Sequence, residues 1–503
     1  MISEKQLDVA TSSAPLARQA GTARHWFPLP ALLFCFIALV IFVLVPMRMA
    51  ESDIWFHLRN AQQLITNHSF LRADLYTFTT AGAPLLNHEW LAELPYYAGF
   101  KAFGLQGLLA VNAIVLCLIY GAMYYLACRR GADPGDAAIV TITAVILGLY
   151  SSGPRMHNFG YLCMALLLII LERFQQTGKG LWLLPPLFAV WVNLHGSWLF
   201  GFVLMGIYLV SGLVKEDQGR VFAEPWDRAK SGKLLLATAA SAVALLMNPY
   251  GYRLAWYPFD VMFRQTANVA NVIEWQSVDF NTLWGKLALG MVFVLLAVAV
   301  SNVRWPVRDF LMACFAIYVG LTHVRFLLLA GVVLIPIIAP KLEMCPPYDP
   351  RRDRSWRNAL GAIAILALLL WSYPSAARLQ ARIDSVFPHD ALRFMQQNNL
   401  NGKLFHPYDF GGYIEWYAPD IKTFADGRTD IFVYNGVFAD YLKARGVEQP
   451  FEIFDKYGIE YVLMEPDKPL TYLLDHSSQW QLVYGDLVAR LYRRLDGDGR
   501  NGS

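Results

Sequence analysis

The sequence predicts an α-helical polytopic membrane protein that ends in a small extracytoplasmic α/β domain, and three observations predict it. The 503 residues are 56% hydrophobic and 16% charged, against roughly 45–50% apolar and about 25% charged in soluble domains. The apolar residues gather into eleven runs, and basic residues collect in alternate connections between them. From about residue 376 the pattern changes to short apolar stretches broken by Gly, Pro and Asp. The net charge of +3 is too small to argue for a nucleic-acid partner. Of the six cysteines, Cys35, Cys117, Cys128, Cys163 and Cys314 fall in or beside apolar runs and Cys345 stands in a polar connection. They read as small hydrophobes, without the paired spacing of a metal knuckle or disulfide framework.

Taken in order, residues 1–26 are polar and patternless, and a mobile cytoplasmic tail is expected there. Phe27 to Pro46 is long enough to cross about 30 Å of hydrocarbon and longer than a signal peptide's apolar core. Further runs lie near 104–127, 137–151, 158–173, 181–195 and 197–214. The rest lie near 234–248, 285–303, 309–322, 326–340 and 358–373. Several are short, as expected of helices that end inside a cavity and do not traverse a lipid-facing slab.

Basic residues orient the array. With the N-terminus inside, Arg129-Arg130, Arg173 with Lys179, Lys215 to Lys233, Arg304 with Arg308, and "RRDRSWR" at 351–357 all fall on the inner side. An odd number of spans then puts residues 376–503 outside. The expected division is therefore a tail (1–26), a membrane domain (27–375) whose first outer loop is 48–103, and an outer accessory domain (376–503). Within the last, "FEIFDKYGIEYVLM" (451–464) predicts a helix, a glycine stop and a buried strand. "YDFGGY" and "FADGRTD" read as glycine turns that bring Asp409, Asp426 and Arg428 to loop tips.

Every polar-aromatic motif falls on one side of this topology. Asp53, Trp55 and His57 open the first outer loop in "ESDIWFHLRN", and "LLNHEWLAE" closes it with His88 and Glu89. "SGPRMHN" supplies Arg155, "WVNLHGSW" Asn193 and His195, "IEWQSVDF" Glu274, and "LTHVRF" His323 with Arg325. An acid at the bilayer costs ~2.5–3.5 kcal/mol on insertion scales, so Asp53 reads as functional by default. In a helix Asp53 and His57 would share a face at i,i+4. Plainer readings stand beside these. Asp53 could simply cap a helix, each arginine could snorkel to the interface, the tryptophans could be interfacial anchors, and His195 could be a packing histidine.

The motifs "ESDIWFHL", "NHEWLAE", "GPRMHN", "NLHGSW", "NPYG", "IEW" and "HVRF", followed by an outer domain, resemble the GT-C superfamily of polytopic glycosyltransferases. The bacterial members related to protein mannosyltransferases and rhizobial lipopolysaccharide sugar transferases are the nearest in pattern. The resemblance implies a polyprenyl-phosphate sugar donor, a glycan, lipid or protein acceptor, an inverting reaction, and a place in the bacterial inner membrane with a periplasmic C-terminal domain. In that reading Asp53 is the general base with His57 and Glu89 as catalytic partners. Arg155, His195, His323 and Arg325 hold the donor phosphate, and Trp55, His88, Asn193 and Glu274 contact substrate. The paired acidic motif of several relatives is absent, since Ile54 follows Asp53, so no metal ligand is assigned and a divalent cofactor is left open. A lipid-linked glycan ligase or polymerase shares this donor chemistry. A flippase is the other alternative, although its polar residues should lie near the midplane in repeated halves.

Overall fold

The computed structural model describes residues 26–265, 270–301 and 303–495. The tail expected to be mobile lies outside them but for Trp26. Each of the eleven apolar runs coincides with a helix. Among the described residues seven helices are long and apolar enough to cross a membrane, the first being Leu29–Arg48 and the last Ser355–Ser372. The other four runs form shorter helices, Leu184–Leu194, Trp198–Leu213, Arg228–Ala244 and Val307–Thr322. Of the eleven expected helices, seven are thus long and apolar enough for a full crossing, and the other four are the shorter kind expected beside the polar motifs.

Packing separates a central helix from peripheral ones. Every residue of Leu327–Ile338 is buried, and such an all-round apolar helix is stable only inside a bundle or a membrane. Leu283–Val300 and Ser355–Ser372 instead leave Phe293, Leu296, Leu366 and Leu370 exposed. Such surface is costly in water, at about 25 cal/mol per Å², and costs nothing against lipid tails. The helix Trp90–Arg129 kinks at Phe103–Gly104. That is where its apolar run begins, because the preceding segment carries the polar face of the site.

Two short strands, β1 (Val221–Phe222) and β2 (Trp305–Pro306), pair in parallel between helices. After Ser372 come the helices Ala376–Asp384, His389–Gln397 and Tyr408–Tyr417, and a four-stranded sheet. Its strands β3 (Leu404–Phe405), β4 (Tyr461–Met464), β5 (Trp480–Gly485) and β6 (Arg490–Arg494) lie in the order β3-β4-β6-β5, with only β3 and β4 parallel. The predicted helix–stop–strand is present as Pro450–Tyr457, Gly458 and the fully buried β4. "YDFGGY" is a correction: it opens the helix Tyr408–Tyr417 and is not a turn.

This C-terminal part is built into the membrane part. Phe78 N–H donates to the Thr423 carbonyl at 3.1 Å. Buried Arg428 donates to Asp74 at 2.9 Å and, through Nε, to Asp426 at 2.8 Å. Asp426 and Arg428 are therefore not at loop tips as the turn chemistry suggested; they form a buried ionic network. Removing one partner of such a pair costs about 3–5 kcal/mol because the other charge is stranded.

Candidate active site

The site is assembled where the amphipathic helix Ile54–Asn67 begins. Asp53 occupies its N-cap position, yet its carboxylate makes no capping bond. Its hydrogen bond among the described residues comes from the Ser52 hydroxyl, at 3.2 Å. The capping alternative thus fails, and the carboxylate is spare. Burial raises its proton affinity most; Arg155 opposes that, and Glu274 adds to it.

One turn on, the His57 N–H donates to the Asp53 carbonyl at 3.3 Å, the i,i+4 spacing read from the sequence. Both ring nitrogens of His57 face carboxylates: Nδ1 lies 2.8 Å from Glu93 and Nε2 3.3 Å from Glu89. Burial alone would favour the neutral ring, but Glu93, Glu89 and Asp53 outweigh it and raise the proton affinity. Glu93 is fixed by amide donors from Asn60 and Asn87. His57 therefore suits an oriented cation better than a base.

Glu89 is shared by three imidazoles, with His195 at 3.4 Å and His88 at 3.7 Å beside His57. The Ser197 N–H donates to His195 Nδ1 at 2.9 Å, so a neutral His195 carries its proton on Nε2, toward Glu89. His88 packs against Tyr257 with ring centroids 4.3 Å apart and tilted by 35°, and the Tyr257 hydroxyl donates to Asp430 at 3.2 Å. Among the described residues no group of three or more His, Cys, Asp or Glu side chains is arranged to hold a metal ion.

The cations divide into two kinds. Arg155 bridges Glu51, at 2.6 Å, and Glu274. Burial would raise the Glu274 pKa, but Arg155 and Arg325 hold it down at about 2. Arg325 stacks over Trp275 with its guanidinium carbon 4.4 Å from the ring centroid. Its Nε is buried without a hydrogen-bond partner, and the side chain makes no ion pair among the described residues. His323 sits beside it, its Nδ1 2.8 Å from the Trp275 carbonyl. Arg325 is the guanidinium with donors to spare.

Two predicted substrate contacts are corrected. Trp55 is completely buried, edge-on to Tyr413 at 5.1 Å and to Phe387 at 6.1 Å, so it anchors the C-terminal helices and offers no open face. Asn193 spends its amide inside the protein: Nδ2 donates to the Ala189 and Met247 carbonyls, and Oδ1 accepts from Trp90. The other candidates fall into groups: His57, His88 and His195 around Glu89, Arg155 with Glu274, and His323 with Arg325 on Trp275, with Asp53 one helical turn before His57.

Sequence reasoning missed Glu51 and Glu93, although both lie within the quoted motifs, and it missed the contribution of the C-terminal part. Gly412 lies against the opening turn of Ile54–Asn67, where a Cβ would sit 3.1 Å from Phe56 N and 3.2 Å from Ser52 O. At Gly427 a Cβ would overlap the Asp53 carboxylate. Both glycines permit a close approach that a side chain would block.

No protein-family model and no curated protein matches the chain. Solved structures do. ArnT from Cupriavidus metallidurans in the apo state matches with a TM-score of 0.52 and 15% identity, over 92% of this chain and 97% of that one. This chain shares ArnT's fold. ArnT bound to undecaprenyl phosphate gives a TM-score of 0.49 at 15% identity, over 93% and 98% of the two chains. The ArnT likeness extends over the helical array and the C-terminal part together.

Proposed function

We propose that this chain is an inverting membrane glycosyltransferase that moves a sugar from a polyprenyl-phosphate donor to a hydroxyl acceptor. The observation that carries the reading is that a spare carboxylate, Asp53, and a guanidinium without an ion pair among the described residues, Arg325, flank the Arg155–Glu274 bridge at one end of an apolar helical array. ArnT, whose fold the chain shares, has been solved with undecaprenyl phosphate, and that ligand class suits Arg325. Arginine binds phosphate through a planar fork of donors.

In the proposed reaction Asp53 takes the acceptor's hydroxyl proton as that oxygen bonds to the anomeric carbon. The bond from that carbon to the phosphate oxygen breaks, and its electron pair leaves with the lipid phosphate. Arg325 stabilises the charge that develops there. Arg155, already committed to Glu51 and Glu274, holds Glu274 in place and lends its field to Asp53, and His323, whose Nδ1–H is committed to the Trp275 carbonyl, donates to the phosphate through Nε2 when its ring is protonated. His57 and Glu89 keep the helix start and the histidine cluster in register. The lipid tail stays in hydrocarbon, so a reactive carbon only a few ångströms beyond it must meet its base at the membrane edge, within about 3–3.5 Å.

The proposed setting is a bacterial inner membrane with the N-terminus cytoplasmic and residues 376–503 periplasmic, an orientation supported by the basic clusters in alternate connections. That last part is proposed to select the acceptor. The first test needs no knowledge of the sugar. A ligand that binds only the folded state raises the melting temperature. Undecaprenyl phosphate should therefore stabilise the purified protein in nanodiscs, and undecaprenol, which lacks the phosphate, should not. Equal effects from the two lipids would remove the phosphate-recognition reading.

A further inference from the structure

The helix Tyr408–Tyr417 enters the site from the C-terminal part, and its first turn carries Asp409. Gly412, three residues on, is the point pressed against Ser52 O and Phe56 N. Residues three apart lie on the same face of a helix. Asp409 is thereby brought to the end of Ile54–Asn67 where Asp53 stands. Among the described residues the Asp409 side chain makes no hydrogen bond or ion pair, and it is half-buried. Two spare carboxylates from distant parts of the chain thus meet at one place.

We propose that Asp409 is the partner carboxylate of Asp53 and that the two share one proton at neutral pH, making Asp409 a positioning residue that sets the charge of the base. The proposal rests on the reading of Asp53 as that base. Like charges at close range cannot both ionise easily, so one of two facing carboxylates retains a proton. Burial and then Asp53 push Asp409 up to about 7, with Arg445 pulling the other way and Glu465 and Glu274 adding to the rise. Tyr408 and Tyr441 complete the groups around it, the Tyr441 hydroxyl accepting from Tyr408 N–H at 3.1 Å. Glu465, a further carboxylate whose Oε2 is buried without a hydrogen-bond partner, adds negative charge near the pair.

The proton count closes. The pair begins with one proton and one negative charge. The acceptor hydroxyl proton passes to the ionised member as the new C–O bond forms, which leaves both carboxyls protonated. Release of one proton to water restores the starting state, and the phosphate keeps the electron pair of the broken bond. Asp409 thus limits how far Asp53 is desolvated as an anion before the acceptor arrives.

The test is pH-dependent labelling of the full-length protein in nanodiscs with dicyclohexylcarbodiimide, which reacts with protonated carboxyls, followed by peptide mass spectrometry. Asp409 should label with a midpoint near 7, and Asp53→Asn should move that midpoint down by about one pH unit. An unmoved midpoint would overturn the pairing. If Asp53→Asn fails to fold, Asp53→Ser read at the same Asp409 midpoint serves in its place, with the same downward shift expected. Failure of undecaprenyl phosphate to stabilise the protein, with the coupled midpoints intact, would instead sink the transferase reading and spare the pair.

Discussion

Two clusters of buried charge lie at opposite ends of the helix His157–Thr177, and they are built differently. Arg155 precedes the helix and Glu172 lies near its other end, about 22 Å away at 1.5 Å per residue. Around Glu172, each buried cation has a carboxylate. Arg130 lies 2.6 Å from Asp309 and 3.6 Å from Glu172, Arg308 lies 3.1 Å from Asp309, and Lys341 lies 3.7 Å from Asp309. These residues come from four helix ends and tie them together. Around Arg155 the charges do not cancel pair by pair. Asp53, Asp409 and Arg325 have no ion-pair partner there among the described residues. Leaving a half-buried charge unpaired costs free energy that packing elsewhere must offset. A chain that pairs its charges at one end and leaves them spare at the other points to the second end as the place where something binds.

The largest expected effect tests the spare carboxylate. Asp53→Asn keeps the shape of the side chain and removes the base, so transfer from a polyprenyl-phosphate-linked sugar should fall by about 10²–10⁴-fold. Stabilisation by undecaprenyl phosphate should survive. Near-normal transfer would shift the search for the base to Glu89, among its three imidazoles. The opposite cluster should answer in stability. Asp309→Ala leaves Lys341 without its carboxylate and Arg130 and Arg308 with only their longer contacts to Glu172 and Glu224, and should cost about 3–5 kcal/mol of folding free energy, read as an earlier thermal transition. The stabilisation by undecaprenyl phosphate should remain. A variant that unfolds normally but no longer responds to the lipid would erase the contrast between the two ends.

A smaller effect is expected at the spare cation. Arg325→Ala removes charge-assisted hydrogen bonds worth about 1.5–3 kcal/mol, a loss of about 10–100-fold in affinity for undecaprenyl phosphate. Titrating the lipid against melting temperature measures it. If Arg155→Ala weakens the lipid and Arg325→Ala does not, the paired arginine is the clamp and the distinction drawn here is reversed. The smallest change is Gly427→Ala. Its methyl group would press on the Asp53 carboxylate, an overpacking cost of about 1–3 kcal/mol. Turnover per folded molecule should drop more than stability does, because the displaced group is the base.

Much of the frame was legible locally. Hydropathy marked each helix of the array because every run of about 15 residues or more must bury its peptide groups in its own hydrogen bonds. The four shorter helices show the limit of that signal, which reports apolarity and says nothing of whether a helix completes a crossing. "FEIFDKYGIEYVLM" was readable because a helix, its stop and a buried strand each leave their own local pattern. "YDFGGY" misled because its two glycines serve close packing, and the pattern is the same as for a turn. Trp55 misled for a similar reason: an indole beside a membrane span can anchor, stack or fill a core, and only its neighbours decide.

The sequence by itself determined the helical array, the collection of the polar motifs into the loops at one end, and the identity of Asp53, Arg155 and Arg325 as the groups to watch. These follow from composition and spacing, which act over a few turns of chain. The tertiary structure alone decided that Arg155 is held by Glu51 and Glu274 while Arg325 stacks on Trp275 without an ion pair among the described residues, that Trp55 faces inward, and that Gly427 lies against Asp53. The Gly427–Asp53 and Arg428–Asp74 contacts join residues more than 350 positions apart. No local pattern records them, because they are fixed by where two separately folded surfaces come to rest against each other.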